Sequence, residues 1–324
     1  MTTKKKNNGK KTPSAKPRAK SNATPSVQQE VTEEKPAVSK LQPPTMAVPP
    51  TVARHEISAA ANKNFEDVPC QDKLRVILKW PGSATDYIHA NYVATPFSDK
   101  RFICTQGPLD ATIADFWHMV IQEETENVVM LCNVKEKGMD KCAQYWPLEL
   151  NEVKTYGDVE VANTSIGPLT ENEPTVRKTM LSVRWKENGK PKQREVRHYQ
   201  WIDWPDRGVP PCRLTAMELL SSIRGTKKPI IVHCSAGIGR TGSIVAIEFI
   251  LERLHTGVPC EAMDEILKEL RNQRPYSIQT DLQYLFVHRV MLFYFIDKHK
   301  MAAGMENLLV MYKKFVEEYD KATA

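Results

Sequence analysis

The chain has no run of ~20 apolar residues able to cross a bilayer and no short apolar core of the kind a secretory leader needs. It therefore reads as soluble and intracellular, cytoplasmic unless its lysine runs carry it to the nucleus. Its seven cysteines show no paired spacing, and an odd number argues against a disulfide scaffold and for a reducing compartment. The eight histidines are scattered without metal-ligand spacing, and His118 and His288 read as helix-surface or core residues. Neither a metal nor a cofactor is expected. No Gly-Lys-Ser/Thr closes a glycine run, which excludes a Walker-type nucleotide loop.

Residues 1–50 lack aromatics altogether and hold eight of the 22 prolines. Ten Lys/Arg against Glu30, Glu33 and Glu34 give this stretch +7 of a total of +6, which leaves −1 for the rest of the chain. The basic character thus belongs to a tail expected to be disordered, not to a nucleic-acid-binding face on the fold. Lys4-Lys5-Lys6 and Lys10-Lys11 suit nuclear import, acidic lipid or an acidic partner, or simply keep the tail solvated.

The most informative stretch is His233-Cys234-Ser235-Ala236-Gly237-Ile238-Gly239-Arg240-Thr241-Gly242. Pro229 to Val232 before it reads as a short buried strand, and Thr241 to Leu254 after it as a helix apolar almost all round. A strand feeding a loop that opens a helix can turn successive backbone N–H groups inward as a nest, with the positive end of the helix dipole added. Such a concavity suits a dianion. Arg240 offers a planar fork for two phosphate oxygens. Cys234 lies where the field is strongest, and such surroundings can lower a thiol from a pKa near 8.5 to ~3.5–7.5. A small buried hydrophobe, or the cysteine loop of a sulfur-transfer enzyme of the rhodanese kind, would also place a cysteine after a strand.

The loop resembles the signature of the protein tyrosine phosphatases, in which Cys and Arg are separated by five residues. Asp86 to Tyr92, Thr105 to Leu109, Lys141 to Pro147, Trp204-Pro205-Asp206 and Gln279 to Tyr284 also look like that family's motifs, in its order. Together they cover roughly Asn62 to Phe295 and remove the rhodanese reading. The resemblance implies a cysteine-based phosphatase acting on phosphotyrosine proteins in signal transduction, without a metal. It implies Cys234 as nucleophile, Asp206 as general acid, and Thr241 as stabiliser of the leaving thiolate. Gln279 and Gln283 would position the hydrolytic water, while Ser235, Ala236, Gly237, Ile238 and Gly239 would cradle the phosphate beside Arg240. Glu136 would hold the fork of Arg240, with Lys141 on the same flanking loop. Phe65 would wall the cleft, and Asp67 would accept hydrogen bonds from the substrate backbone. His233 either helps to set the thiol or is a buried hydrogen-bonded residue. A phosphotyrosine-binding relative without turnover and a dual-specificity phosphatase are the rivals; the intact set Cys234, Asp206, Arg240 and Gln279 speaks against the first.

Four residues depart from the family's usual pattern, the first being Phe65, which stands where the family normally carries Tyr. Arg207 replaces a commonly aromatic residue after the loop aspartate, His89 replaces an Asn, and Tyr276 stands near the pocket mouth where several relatives carry a small residue. Gly208 reads as a pivot of the acid loop.

The expected fold is α/β (α+β): a highly twisted mixed sheet flanked by helices, occupying residues 51–299. Thr179, Leu181, Val183 and Trp185 alternate onto one face of a strand, Asn188-Gly189 marks a hairpin turn, and Val196 to Trp201 returns toward the acid loop. Helices are expected over 214–224, 241–254, 262–271 and 281–298. Over 300–324 an amphipathic helix places Met305, Leu308, Leu309, Tyr312, Phe315, Val316 and Tyr319 on one stripe, which either packs back on the domain or receives a partner.

Overall fold

Short runs buried on both faces set the centre of the molecule. The computed structural model describes residues 68–83 and 85–323; the basic tail, Phe65 and Asp67 lie outside them. The strands follow in chain order as β1 (Arg75–Ile77), β2 (Tyr87–Thr95), β3 (Ser98–Thr105), β4 (Asn127–Met130), β5 (Lys135–Glu136), β6 (Met139–Asp140), β7 (Val153–Tyr156), β8 (Val159–Pro168), β9 (Val176–Glu187), β10 (Lys190–Trp201) and β11 (Ile230–His233). Nine of them form one sheet in the order β1-β2-β3-β11-β4-β10-β9-β8-β7, and β5 pairs with β6 in a separate ribbon.

The sheet is parallel at its heart and antiparallel at both wings. β11 runs parallel to β3 and β4, and β10 runs parallel to β4. All four residues of β4 and of β11 are buried, the continuous apolar pattern of strands covered on both faces. β9 and β10 form the long hairpin turned by Asn188-Gly189, and Thr179, Leu181, Val183 and Trp185 are buried as their alternation demands. β10 starts at Lys190, six residues before the apolar run at Val196, because its outer half is polar and pairs with β9 in solvent.

The helices are α1 (Ile113–Gln122), α2 (Thr215–Ile223), α3 (Gly239–Thr256), α4 (Met263–Gln273), α5 (Asp281–Leu292) and α6 (Glu306–Thr323). α3 is buried around nearly its whole girth, as a helix without a polar face must be. The helix expected over 281–298 changes character at Phe293, where a π-helical turn runs to Lys298. The wider turn delivers Asp297 to the hydroxyl of Tyr312 on α6, which also accepts a hydrogen bond from Arg289 of α5 at 3.0 Å. Tyr312 and Tyr319 are buried, and Phe315 packs against the main core. Leu309, Tyr312, Phe315, Val316 and Tyr319 of the expected stripe thus pack back on the fold, whereas Leu308 and Met305, the latter just before α6, stay exposed.

Candidate active site

Four parallel strands open their carboxyl ends on one side of the sheet, where ligands of such sheets gather. From β3 comes Gln106-Gly107-Pro108, from β4 the segment leading to Glu136, from β10 the acid loop, and from β11 the cysteine loop. Residues scattered along the chain meet there because the sheet order, not the chain order, brings their strands together.

The cysteine loop closes on itself at Gly237, whose φ is +70° and whose missing side chain leaves room for the Thr105 carbonyl oxygen, only 2.0 Å from where a Cβ would stand. No other residue fits. Arg274, fully buried, donates from Nε to the Gly237 carbonyl at 2.5 Å and from Nη2 to the Ala236 carbonyl at 3.1 Å. Its third arm reaches Asn91 Oδ1 at 2.7 Å. With these carbonyls pulled outward, the N–H groups of the loop are left facing in.

Cys234 lies at the floor of the cleft, 4% exposed. The Gly237 N–H donates to its Sγ at 3.3 Å. The buried Thr241 hydroxyl has no other partner among the described residues and acts on the sulfur. Burial works against the thiolate, but the Arg240 charge, the Thr241 hydroxyl and N–H, and the Gly237 N–H outweigh it and hold the thiol below its ordinary value. The six other cysteines, all free, are pushed the opposite way by burial.

Arg240, 2% exposed, is gripped from behind. Glu136 takes both guanidinium arms, at 2.6 and 3.1 Å, and the Trp204 carbonyl accepts from Nη1 at 3.0 Å. Nη2 also reaches Asp206 Oδ1 at 3.4 Å, while Lys141 Nζ donates to Asp206 Oδ2 at 2.7 Å. Burial raises the Asp206 carboxyl, yet Lys141, Arg240 and Arg207 prevail and hold it below the usual carboxylate range.

The acid loop is shaped by Trp204, buried against Trp201 and Phe286. Its indole N–H donates to the Gly208 carbonyl at 3.1 Å. The left-handed position falls on Arg207, at φ +58°, and not on Gly208, the expected pivot. Gly208 is needed instead for closeness, since a Cβ there would meet Pro205 Cγ at 2.9 Å. Thr280 caps α5 by accepting from the Gln283 N–H at 3.2 Å, and the same hydroxyl donates to the Arg207 carbonyl at 3.3 Å. Gln283 accepts from the Gln279 N–H at 3.0 Å.

Lys141, Asp206, Arg207, Ser235, Ala236, Ile238, Gly239, Gln279 and Gln283 line this cleft with Cys234 and Arg240. The catalytic and phosphate-binding candidates named from the sequence within the described residues line this cleft, or, for Glu136, Gly237 and Thr241, lie directly behind it; Tyr276 is not among its lining residues. His89 is elsewhere in role: buried, bonded to the Val68 carbonyl at 2.9 Å and pushed down to about 4 by burial, it is a neutral structural residue. Arg274 had no signal in the sequence, where it is one more arginine near a proline.

His233 is part of a chain running back into the sheet. Burial pushes it down to about 4, so it is neutral. Its Nδ1 faces the Cys234 carbonyl at 3.1 Å and must donate, which leaves Nε2 as an acceptor for the Tyr145 hydroxyl at 2.7 Å. Tyr145 then accepts from His198 Nε2 at 2.7 Å, and the His198 Nδ1 without a partner fits that tautomer.

The family model described as protein-tyrosine phosphatase matches residues 60–293. The chain belongs to the protein-tyrosine phosphatase family. A Lar-like tyrosine-protein phosphatase of Caenorhabditis elegans is 39% identical over 246 residues, 72% of this chain and 11% of that protein. Human tyrosine-protein phosphatase non-receptor type 9 is 35% identical over 266 residues, 76% of this chain and 44% of that protein. The chain thus spans less than half the length of these curated relatives. Among solved structures, the catalytic domain of human protein tyrosine phosphatase non-receptor type 18 superposes with a TM-score of 0.64 at 29% identity, covering 71% of this chain and 83% of that one. PTPN18 in complex with HER2 phosphopeptides gives 0.65 at 30% identity, with 71% and 87% covered.

Proposed function

We propose that the protein hydrolyses phosphotyrosine in proteins through a phosphocysteine, with residues 51–299 as its catalytic domain. The observation that carries this reading is the Cys234 sulfur at the cleft floor, held by Arg240, Thr241 and the Gly237 N–H.

In the first half-reaction the thiolate attacks phosphorus, the bond to the tyrosyl oxygen breaks, and Asp206 passes its proton to that oxygen. The resting Asp206 is ionised, so it must gain a proton first. An arriving phosphate dianion brings negative charge beside it and competes for Arg240, and both effects raise its pKa. The N–H groups of Ser235 to Arg240 and the guanidinium stabilise the equatorial oxygens of the transferring group. In the second half water attacks phosphorus, held by Gln279 and Gln283, and gives its proton to the Asp206 carboxylate. The sulfur–phosphorus bond breaks and Thr241 receives the thiolate.

No organic cofactor enters either step, and an intracellular location accords with seven unpaired cysteines. The test is turnover of phenyl phosphate, a phosphotyrosine peptide and a phosphoserine peptide in the presence of chelator. The expected outcome is hydrolysis of the first two, abolished in Cys234→Ser; activity surviving that substitution sinks the mechanism.

A further inference from the structure

The cations of the cleft are not equally occupied. Arg240 is committed to Glu136, and Lys141 to Asp206. Arg207 lines the same cleft, is exposed, and its guanidinium makes no hydrogen bond, ion pair or ring contact among the described residues. Its charge reaches the neighbouring Asp206 through space, yet its fork of five donors has no hydrogen-bond acceptor among the described residues, at the mouth of an anion site.

Its position is not loose. The Arg207 backbone is in the left-handed region at φ +58°, a conformation uncommon for a non-glycine residue. The Thr280 hydroxyl pins its carbonyl at 3.3 Å, and the turn is closed by the Gly208 N–H to the Pro205 carbonyl at 3.2 Å. Its Cα is one peptide, about 3.8 Å, from that of Asp206. A tyrosyl oxygen placed at Asp206 therefore brings the residues on either side of that tyrosine within the sweep of the arginine.

We infer that Arg207 is a specificity determinant that binds a carboxylate on a residue flanking the target phosphotyrosine, so the favoured substrates are acidic around that tyrosine. The inference rests on the phosphatase reading above. A guanidinium matches a carboxylate with two parallel hydrogen bonds, which an aromatic residue at this position cannot offer. The contact lies on the exposed rim, so its effect is modest and sensitive to salt.

The test compares kcat/KM for two phosphotyrosine peptides that differ only in flanking Glu or Gln, alongside phenyl phosphate. It is run on the wild type, Arg207→Gln and Arg207→Lys, at low ionic strength and at about 1 M salt, where the Debye length is near 3 Å. Taking the ratio within each protein cancels any effect of the substitution on turnover itself. The wild type should favour the Glu peptide by about fivefold at low salt and lose that preference at high salt. Arg207→Gln should bring the ratio to about one, and Arg207→Lys should keep part of it. A wild-type ratio near one, a ratio indifferent to salt, or an unchanged ratio in Arg207→Gln overturns the inference. If phenyl phosphate is turned over while the ratio fails, only this inference falls; if phenyl phosphate is not hydrolysed, the phosphatase reading falls with it. Should Arg207→Gln be too slow to assay, the salt dependence and the Arg207→Lys ratio decide.

Discussion

The two carboxylate oxygens of Glu136 lie 2.6 and 3.1 Å from the two terminal nitrogens of Arg240, so the plane of the guanidinium is set by a residue more than a hundred positions earlier in the chain. A fork held from behind keeps its front edge for the phosphate.

Glu136→Ala should free that plane and leave a buried cation half-paired. Since misplacement by ~1 Å can cost about 10²-fold, kcat/KM for an aryl phosphate should fall by roughly that factor. Tungstate affinity, read by calorimetry, should weaken in parallel; unaltered binding would show that Arg240 is oriented by something else.

Asp206→Asn removes the proton donor and keeps the shape. Turnover should drop by about 10²–10⁴ for a phenyl leaving group and much less for a nitrophenyl one, which departs without protonation. Steady-state rates across a series of leaving groups check this, and a uniform loss would contradict the acid role.

Alkylation should single out one cysteine. The Cys234 pKa is lowered and those of the other six are raised, so thiolate persists to lower pH only at Cys234. Iodoacetamide near pH 6 should modify Cys234 alone, as read by peptide mass mapping. In Arg240→Ala the largest lowering influence is gone, so the reactivity should move to higher pH.

Tyr276 is 44% exposed and stands at φ +61°. Tyr276→Gly relieves about 1 kcal/mol of left-handed strain, which offsets the greater freedom of glycine in the unfolded chain, so urea midpoints should stay close to wild type. If the ring narrows the entrance, kcat/KM should rise more for a bulky peptide than for phenyl phosphate. Equal changes would end that idea.

Arg274→Ala strips partners from two buried carbonyls and Asn91. A loss of about 3 kcal/mol or more in urea unfolding is expected, with activity falling in the fraction that remains folded.

The cysteine loop and the β9–β10 hairpin were readable because their signals are local: Cys234 and Arg240 sit on one short segment, and Asn188-Gly189 turns two alternating strands. The partnership of Arg240 with Glu136 was readable only through family resemblance, since nothing local joins distant residues. Arg274 was silent, because its role depends on Ala236 and Gly237 being folded beneath it. Composition marks Gly208 as a pivot of the acid loop but does not foretell the positive φ of Arg207, which comes from a turn closed by the Gly208 N–H on the Pro205 carbonyl and by the Trp204 indole on the Gly208 carbonyl. The π-helical turn at Phe293–Lys298 has no compositional mark and exists to bring Asp297 to Tyr312.

The last strand of the chain, β11, occupies the middle of the sheet between β3 and β4. In the folded sheet β11 alone joins β1-β2-β3 to β4-β10-β9-β8-β7 and carries the cysteine loop at its carboxyl end, so without residues 230–233 the two wings share no hydrogen-bonded edge. Recovery of activity during refolding should therefore coincide with closure of the whole sheet, and a nascent chain cut before Ile230 should be both inert and prone to pair with its neighbours.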